Sequence, residues 1–276
     1  MDYSNPEIPD GINTSKENPL KEFLVLTIGV FGAIVLVVII LSLMAERFAI
    51  YIPFPLEQQL IPDGLIEQNS DDDINNYLQN LSDQLSQYMD LPEDMDFIIH
   101  YSKEPIENAY ATIGGHIYIY QGLIDLLPNE NALAMVIAHE MAHVYHRHPI
   151  IAMGRGVVIG LLLSALSGFS GDYFIGKITT DAGVITLLNF NRDQERVSDE
   201  TALAIVAAHY GHVKHTDKLF RILLDKAEAN TDVKLPQFLS THPLGENRIK
   251  NIQVYARENN LRIEGKTTAL PDFVRH

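Results

Sequence analysis

The chain has 276 residues, a formal net charge of -16 with a pI near 5.0, and no cysteine. Its 36 acids against 20 lysines and arginines exclude the basic face that phosphate recognition needs, so no nucleic-acid partner is expected. Without cysteine there are no disulfides, thiolate ligands or thiol nucleophiles, and any metal must rest on His, Asp or Glu.

Residues 1–22 carry Pro6, Pro9, Gly11 and Pro19 among polar side chains, a composition that cannot bury enough surface to order itself, and read as a flexible tail. Residues 23–44 (FLVLTIGVFGAIVLVVIILSLM) contain no charge. At ~1.5 Å per residue they match a hydrocarbon core of ~30 Å, which predicts a single transmembrane anchor with the lipid bilayer as partner. A cleaved signal peptide fits less well, because its apolar region runs only about 7 to 15 residues. Lys16 and Lys21 precede the run and Arg47 follows it, a slight bias that puts the N-terminus inside. The soluble part is then expected on the periplasmic side of a bacterial inner membrane.

Pro53, Pro55 and Pro62 mark residues 45–71 as a linker, and residues 72–276 as the catalytic domain. Ser70 can cap a helix whose Ile74, Tyr77, Leu78, Leu81, Leu85 and Tyr88 recur at helical spacing. Met95, Phe97, Ile99 and Tyr101 alternate at period two, as do Ile117 and Ile119 against Tyr118 and Tyr120, so two short strands are predicted, with a turn at Gly114-Gly115. Helices follow over about 133–145, closed by Pro149, then 185–209 before Gly211, 216–229 and 246–257. The fold class is α+β, mainly helical, with a small sheet.

The chemistry concentrates at His139-Glu140-Met141-Ala142-His143. On a helix two imidazoles four residues apart leave one face about a turn apart and can share a metal ion, with Glu140 beside them. Zinc hydrolysis needs two neutral nitrogen donors, a third protein ligand, an open fourth position and a carboxylate that accepts a proton from water. The plainer alternative is a pair of surface histidines. Against it, residues 132–142 are mostly apolar, so these polar groups enter an interior.

Elimination narrows the third ligand. A third histidine six places beyond His143 would complete one known zinc pattern, but Pro149 stands there, and a cysteine ligand does not exist. A carboxylate from a later helix remains, and Glu195-Arg196-Val197-Ser198-Asp199 supplies one with a second acid a turn away. Glu195 is the expected ligand. Asp199 is expected to accept a hydrogen bond from the free ring nitrogen of a ligand histidine, His139 first. An ordinary solvated helical face is the alternative for this pair.

HEMAH, then ERVSD about fifty residues later, then Ser240-Thr241-His242-Pro243 with Arg248-Ile249, resembles the membrane-linked gluzincin family of zinc metallopeptidases that contains HtpX, BepA, LoiP and the CAAX prenyl endopeptidase. Asn108-Ala109-Tyr110-Ala111 and Gly115-His116-Ile117-Tyr118-Ile119, with Gly122-Leu123, are similar to that family's edge strand and the start of its next helix. The resemblance implies one zinc ion per chain on His139, His143 and Glu195, Glu140 as the base, and His242 near the metal to steady the tetrahedral intermediate. The chain differs from HtpX in having one expected span, and it has no lipid-bearing cysteine.

His146 and His148 follow on the same helix, where their offsets from His143 put His148 well off the ligand face and His146 only partly on it, and both are expected in solvent or a lid. Residues 150–169 are apolar but carry several glycines; a lid or membrane-resting hairpin fits best, with a second span or core burial as alternatives. The expected activity is endoproteolysis of unfolded, damaged or membrane-associated polypeptides. An extended substrate would pair with an edge strand at Gly115, His116, Ile117 and Tyr118. A catalytically idle, membrane-anchored chaperone or binding protein is the rival, and intact Glu140 argues against it. An intramembrane protease is a second rival that Glu130 and Arg147 disfavour.

Overall fold

A computed structural model describes residues 18–59, 71–167, 190–229, 238–243 and 248–275. Helix α1 (Pro19–Ala49) opens on Asn18, whose side chain accepts from the N–H groups of Leu20 and Lys21, with Pro19 in the first turn where its missing N–H costs nothing. It extends past the apolar run at both ends. Phe23, Ile28 and Phe31 are about two-thirds exposed, and α1 is, among the described residues, the one helix long and apolar enough to cross a membrane. The tail before Asn18 lies outside the described residues, as do Pro62 and Ser70.

The expected linker is partly folded. Helix α2 (Phe54–Gln59) packs on a 3-10 turn at Ile113–Gly115, burying Phe54 and Glu57. Glu57 Oε2 accepts from the Gly114 N–H at 3.1 Å, and Oε1 lies 2.5 Å from Arg147 Nη2. One phenylalanine between two prolines has no period to betray it, so this helix was invisible in the sequence.

Helix α3 (Asp72–Ser86) turns Ile74, Leu78, Leu81 and Leu85 into the core. Strands β1 (Ile98–Ser102), β2 (Ala109–Ala111) and β3 (His116–Tyr120) form one sheet in the order β1-β3-β2, with β3 parallel to β1 and antiparallel to β2. Gly115, His116, Ile117 and Tyr118 therefore cannot act as an edge strand: His116, Ile117 and Tyr118 belong to the central strand, paired on both sides, and Gly115 is the turn before it. A parallel partner reached across a long connection leaves no local signal, which is why β3 read as an edge. Gly115 adopts φ 84, and a Cβ there would stand 2.2 Å from the Asp96 carbonyl oxygen, so the turn requires glycine.

A short helix α4 (Gln121–Ile124) leads to α5 (Glu130–Tyr145), capped by Asn129 through the Ala132 N–H. Every residue of α5 from Asn131 to Val144 is buried, so this helix is the axis of the domain. It stops at Tyr145, where the apolar spacing ended, and Arg147 takes φ 63 to make a corner. Helix α6 (His148–Ser167) starts there, with Pro149 in its first turn. Residues 150–167 are thus continuous helix, laid along α1.

Helix α7 (Arg192–Tyr210) carries an Asn191–Gln194 capping box, ends on Gly211 at φ 72, and packs against α5. Its expected first residues, 185–189, lie outside the described residues. Helices α8 (Lys218–Ala229), α9 (Phe238–Thr241) and α10 (Arg248–Glu258) complete the helical layer. The C-terminal segment then straps it: Val213 donates to the Arg262 carbonyl, Glu130 to that of Thr268, and Leu270 and Val274 enter the core.

Candidate metal centre

Because α5 is apolar on all sides, its polar residues have no solvent to face. His139, Glu140 and His143 are at most 2% exposed, and the two imidazoles converge with their Nε2 atoms 3.0 Å apart. Helix α7 brings Glu195 to them: its Oε2 is 3.5 Å from His139 Nε2 and its Oε1 is 3.4 Å from His143 Nε2. His242, at the end of α9 and stacked on Phe238, places Nδ1 3.0 Å from Glu195 Oε1 and Nε2 3.3 Å from Glu140 Oε1. Donor atoms of His139, His143, Glu195 and His242 all lie within 4.8 Å of one another, and all four residues are buried.

Behind this cluster, His139 Nδ1 stands 3.0 Å from Asp199 Oδ1. Arg248, itself buried, grips the same carboxylate at 2.7 and 2.8 Å and lays its guanidinium over Phe220 at 4.2 Å. Its Nη1 is also 2.6 Å from Glu195 Oε2, an ion-pair distance without hydrogen-bond geometry. Of the residues singled out in the sequence, His139, Glu140, His143, Glu195, Asp199 and His242 meet here; His116, Ile117 and Tyr118 lie in the sheet.

Charge decides what the cluster can hold. Three buried carboxylates (Glu140, Glu195 and Asp199) surround one permanent cation, Arg248, and neither Glu140 oxygen has a hydrogen-bond partner among the described residues. Uncompensated buried carboxylates cost several kcal/mol, about what a divalent ion in the four-donor cluster offsets. Burial alone would raise the Glu195 carboxyl, but Arg248, His242, His139 and His143 together outweigh it and hold it well below the usual carboxylate range. In Asp199 burial also pushes upward, and Arg248 and His139 together lower the group against it. Burial pushes His143 down. In His139 burial is overcome by Asp199 and Glu195, which raise it to about 9. An ionised glutamate and a neutral imidazole are the states that bind metal.

The sequence reading missed three contributors. His148, expected in solvent or a lid, is buried, its Nδ1 3.0 Å from His143 Nδ1 and 3.5 Å from Ser198 Oγ. The corner at Arg147 swings it back, so offsets counted along one helix did not apply. His146 is half-buried, with Nε2 2.9 Å from Thr201 Oγ1. Phe190 stacks on His143 at 4.0 Å between ring centres, directly before the Asn191 cap. Arg248 entered the sequence reading only as part of the resemblance, since one arginine in a polar helix start looks like any surface cation.

A helix-borne His-Glu-x-x-His answered by a glutamate from a later helix defines a gluzincin-type site. Residues 72–256 match peptidase family M48, and the chain belongs to that family, whose metal is zinc. It is 29% identical over 174 residues to the mitochondrial metalloendopeptidase OMA1 of Schizosaccharomyces pombe, covering 62% of this chain and 50% of that protein. It is 28% identical over 195 residues to a putative beta-barrel assembly-enhancing protease of Vibrio cholerae, covering 67% and 40%. Against the beta-barrel assembly-enhancing protease of Escherichia coli K12, identity is 28% over 162 residues, covering 55% and 32%. The chain spans half or less of the length of these relatives.

Proposed function

We propose that the chain is a zinc-dependent metalloendopeptidase, anchored through residues 23–44, that hydrolyses peptide bonds in unfolded, damaged or membrane-associated proteins. The buried four-donor cluster with Glu140 beside it carries this reading. His139, His143 and Glu195 would hold the ion. Four protein donors would close a tetrahedral site, whereas hydrolysis needs an open position, so His242 is assigned to the open side. A bound zinc ion supplies Lewis acidity to a peptide carbonyl and to water. Glu140 takes the proton of the attacking water and passes it to the leaving amine. The His242 imidazole donates to the oxyanion that forms. Asp199, fixed by Arg248, keeps the His139 Nδ1–H in place so that Nε2 is free to bind.

With β3 internal, the sheet's edge beside the site is β2. Asn108 accepts from the Tyr120 N–H and Thr112 donates to the His116 carbonyl, so the alternation turns the N–H and C=O of Ala109 and Ala111 away from β3. An extended substrate backbone would add there. All three β2 residues are buried, so binding requires that edge to open. The lysine bias before the anchor supports a periplasmic catalytic domain comprising residues 72–276.

The test is casein cleavage by the full-length protein in detergent, before and after chelation and after zinc is restored. Activity lost with zinc and regained with it supports the proposal. A zinc-loaded protein that binds casein without cutting it would establish the idle chaperone instead.

A further inference from the structure

We infer that α6 is a second bilayer-embedded helix, inserted antiparallel beside α1, and that it confines the metal centre to substrate segments lying next to a membrane. The inference rests on the anchor proposed for residues 23–44.

Along α1, Ile34, Val38, Ser42 and Ala45 are partly covered and Ala49 is buried, while the residues between them are mostly exposed. Steps of three and four make one helical stripe, and α6 packs on α1. The pairing is antiparallel: Ala49 clusters with Ile150, and a Cβ on Gly154 would meet the Ala45 Cβ at 3.4 Å. From Ile34 to Ala49 the stripe is ~22 Å long, so the covered part of α1 reaches deep into its charge-free run. A helix lying against that part shares its solvent.

Charges mark the depth. Glu46 is the first charged residue after the apolar run of α1, and Arg155 is the last charged residue of α6; Arg155 Nη1 lies 3.3 Å from Glu46 Oε1. The two helices therefore leave the polar zone at one level. Beyond Arg155, residues 156–167 (GVVIGLLLSALS) carry no charge and rise ~18 Å, more than half of a ~30 Å core. All backbone groups there are helical, as lipid demands.

The consequence for substrates follows from distance. Arg155 is seven residues, ~10 Å of helix, from His148, which touches His143. The metal cluster is thus held on the order of 10–20 Å above the bilayer. Extended juxtamembrane segments of membrane proteins are the class that reaches it.

The chain contains neither tryptophan nor cysteine, which makes single probes unambiguous. Full-length Val157→Trp, Leu36→Trp and Ile263→Trp would each be reconstituted in phosphatidylcholine vesicles with brominated acyl chains; the native side chains are 37%, 57% and 54% exposed. At least twofold quenching at positions 36 and 157, with none at 263, is the expected result. Quenching at 36 alone overturns the α6 inference and leaves the anchor standing. Quenching at neither overturns both. The gentler Val157→Cys is expected to resist a membrane-impermeant maleimide until detergent is added, and reaction without detergent also overturns the inference.

Discussion

The Nδ1 atoms of His148 and His143 lie 3.0 Å apart, so the ring that offers Nε2 to the metal cluster is held from behind by a second imidazole. One ring must donate and the other accept; with a metal ion on Nε2, His143 would carry its proton on Nδ1 and His148 would accept it. His148 is also the first residue of α6, so the aim of a ligand depends on the helix that leaves the site. His148→Ala is expected to weaken zinc binding by about 10- to 100-fold, with partial recovery in His148→Gln. Competition against a fluorescent chelator measures this, and unchanged affinity in the alanine variant would reduce His148 to a space-filler.

Glu140→Gln keeps the shape of the side chain and removes its ability to accept a proton. Zinc content is expected to stay near one per chain while casein cleavage falls by at least 100-fold. Metal analysis and a cleavage assay on one sample separate the two effects. Normal turnover would move the base elsewhere.

The helix that carries His139, Glu140 and His143 was legible in the sequence because its pattern is local: two histidines and a glutamate at fixed spacing inside an apolar run. Glu195 was reachable by elimination, since a cysteine-free chain leaves few donors. What hid were contacts made by changes of direction. Arg147 at φ 63 redirects His148, a parallel pairing internalises β3, and α2 docks with a single buried phenylalanine. None of these alters hydrophobic periodicity, the main signal a single sequence offers. The length of the α6 helix was hidden for the opposite reason: its glycines suggested breaks, but a helix packed closely on α1 tolerates them, as Gly154 against Ala45 shows.

Arg248 is the permanent cation among three buried carboxylates. Replacing it with Met leaves the His139 imidazole as the remaining partner shared by Asp199 and Glu195; breaking such a buried pair typically costs about 3–5 kcal/mol. Arg248→Met is therefore expected to unfold at markedly lower urea concentration when metal-free, and zinc is expected to restore part of the loss. Lysine will not substitute, because it cannot grip Asp199 with two nitrogens while reaching Glu195 with a third. A Met variant as stable as the parent in EDTA would show that the carboxylates are neutral in the metal-free protein.

His100 and His116 stack in the sheet, with His100 Nε2 2.7 Å from His116 Nδ1. Burial, then the neighbouring His116, lowers His100 to about 4, and burial also lowers His116 against a smaller opposing pull from Asp96. Since the folded value lies below the unfolded one, the unfolded chain takes up protons first on acidification. Stability is thus complete above about pH 6.5, declines as pH falls, and levels off below about 4. Urea unfolding in EDTA between pH 7 and 4, in the parent and in His100→Gln, isolates this from metal loss. The variant is expected to show a flatter profile, and parallel curves would remove the pair from the acid response.

Glu57 ties the segment after α1 to the corner that aims His148. Its two oxygens meet Arg147 and the Gly114 N–H, and Arg147 in turn donates to the Ile52 carbonyl. Glu57→Ala would leave a largely buried guanidinium without its counter-charge and a buried N–H without an acceptor, a loss of about 3–5 kcal/mol by the usual cost of breaking such a pair. Arg147→Met would strand the carboxylate at similar cost. If the two groups act on each other, the double variant will be more stable than the sum of the single losses implies, by about 1–3 kcal/mol. Urea unfolding of the four proteins closes this cycle. Hydrogen exchange adds the location: in Glu57→Ala, amides at 113–115 and 146–150 should open faster, while those in the middle of α7 keep their protection. Strictly additive losses would mean that α2 and the α5–α6 corner are stabilised independently, and α2 would then have no hold on the placement of His148.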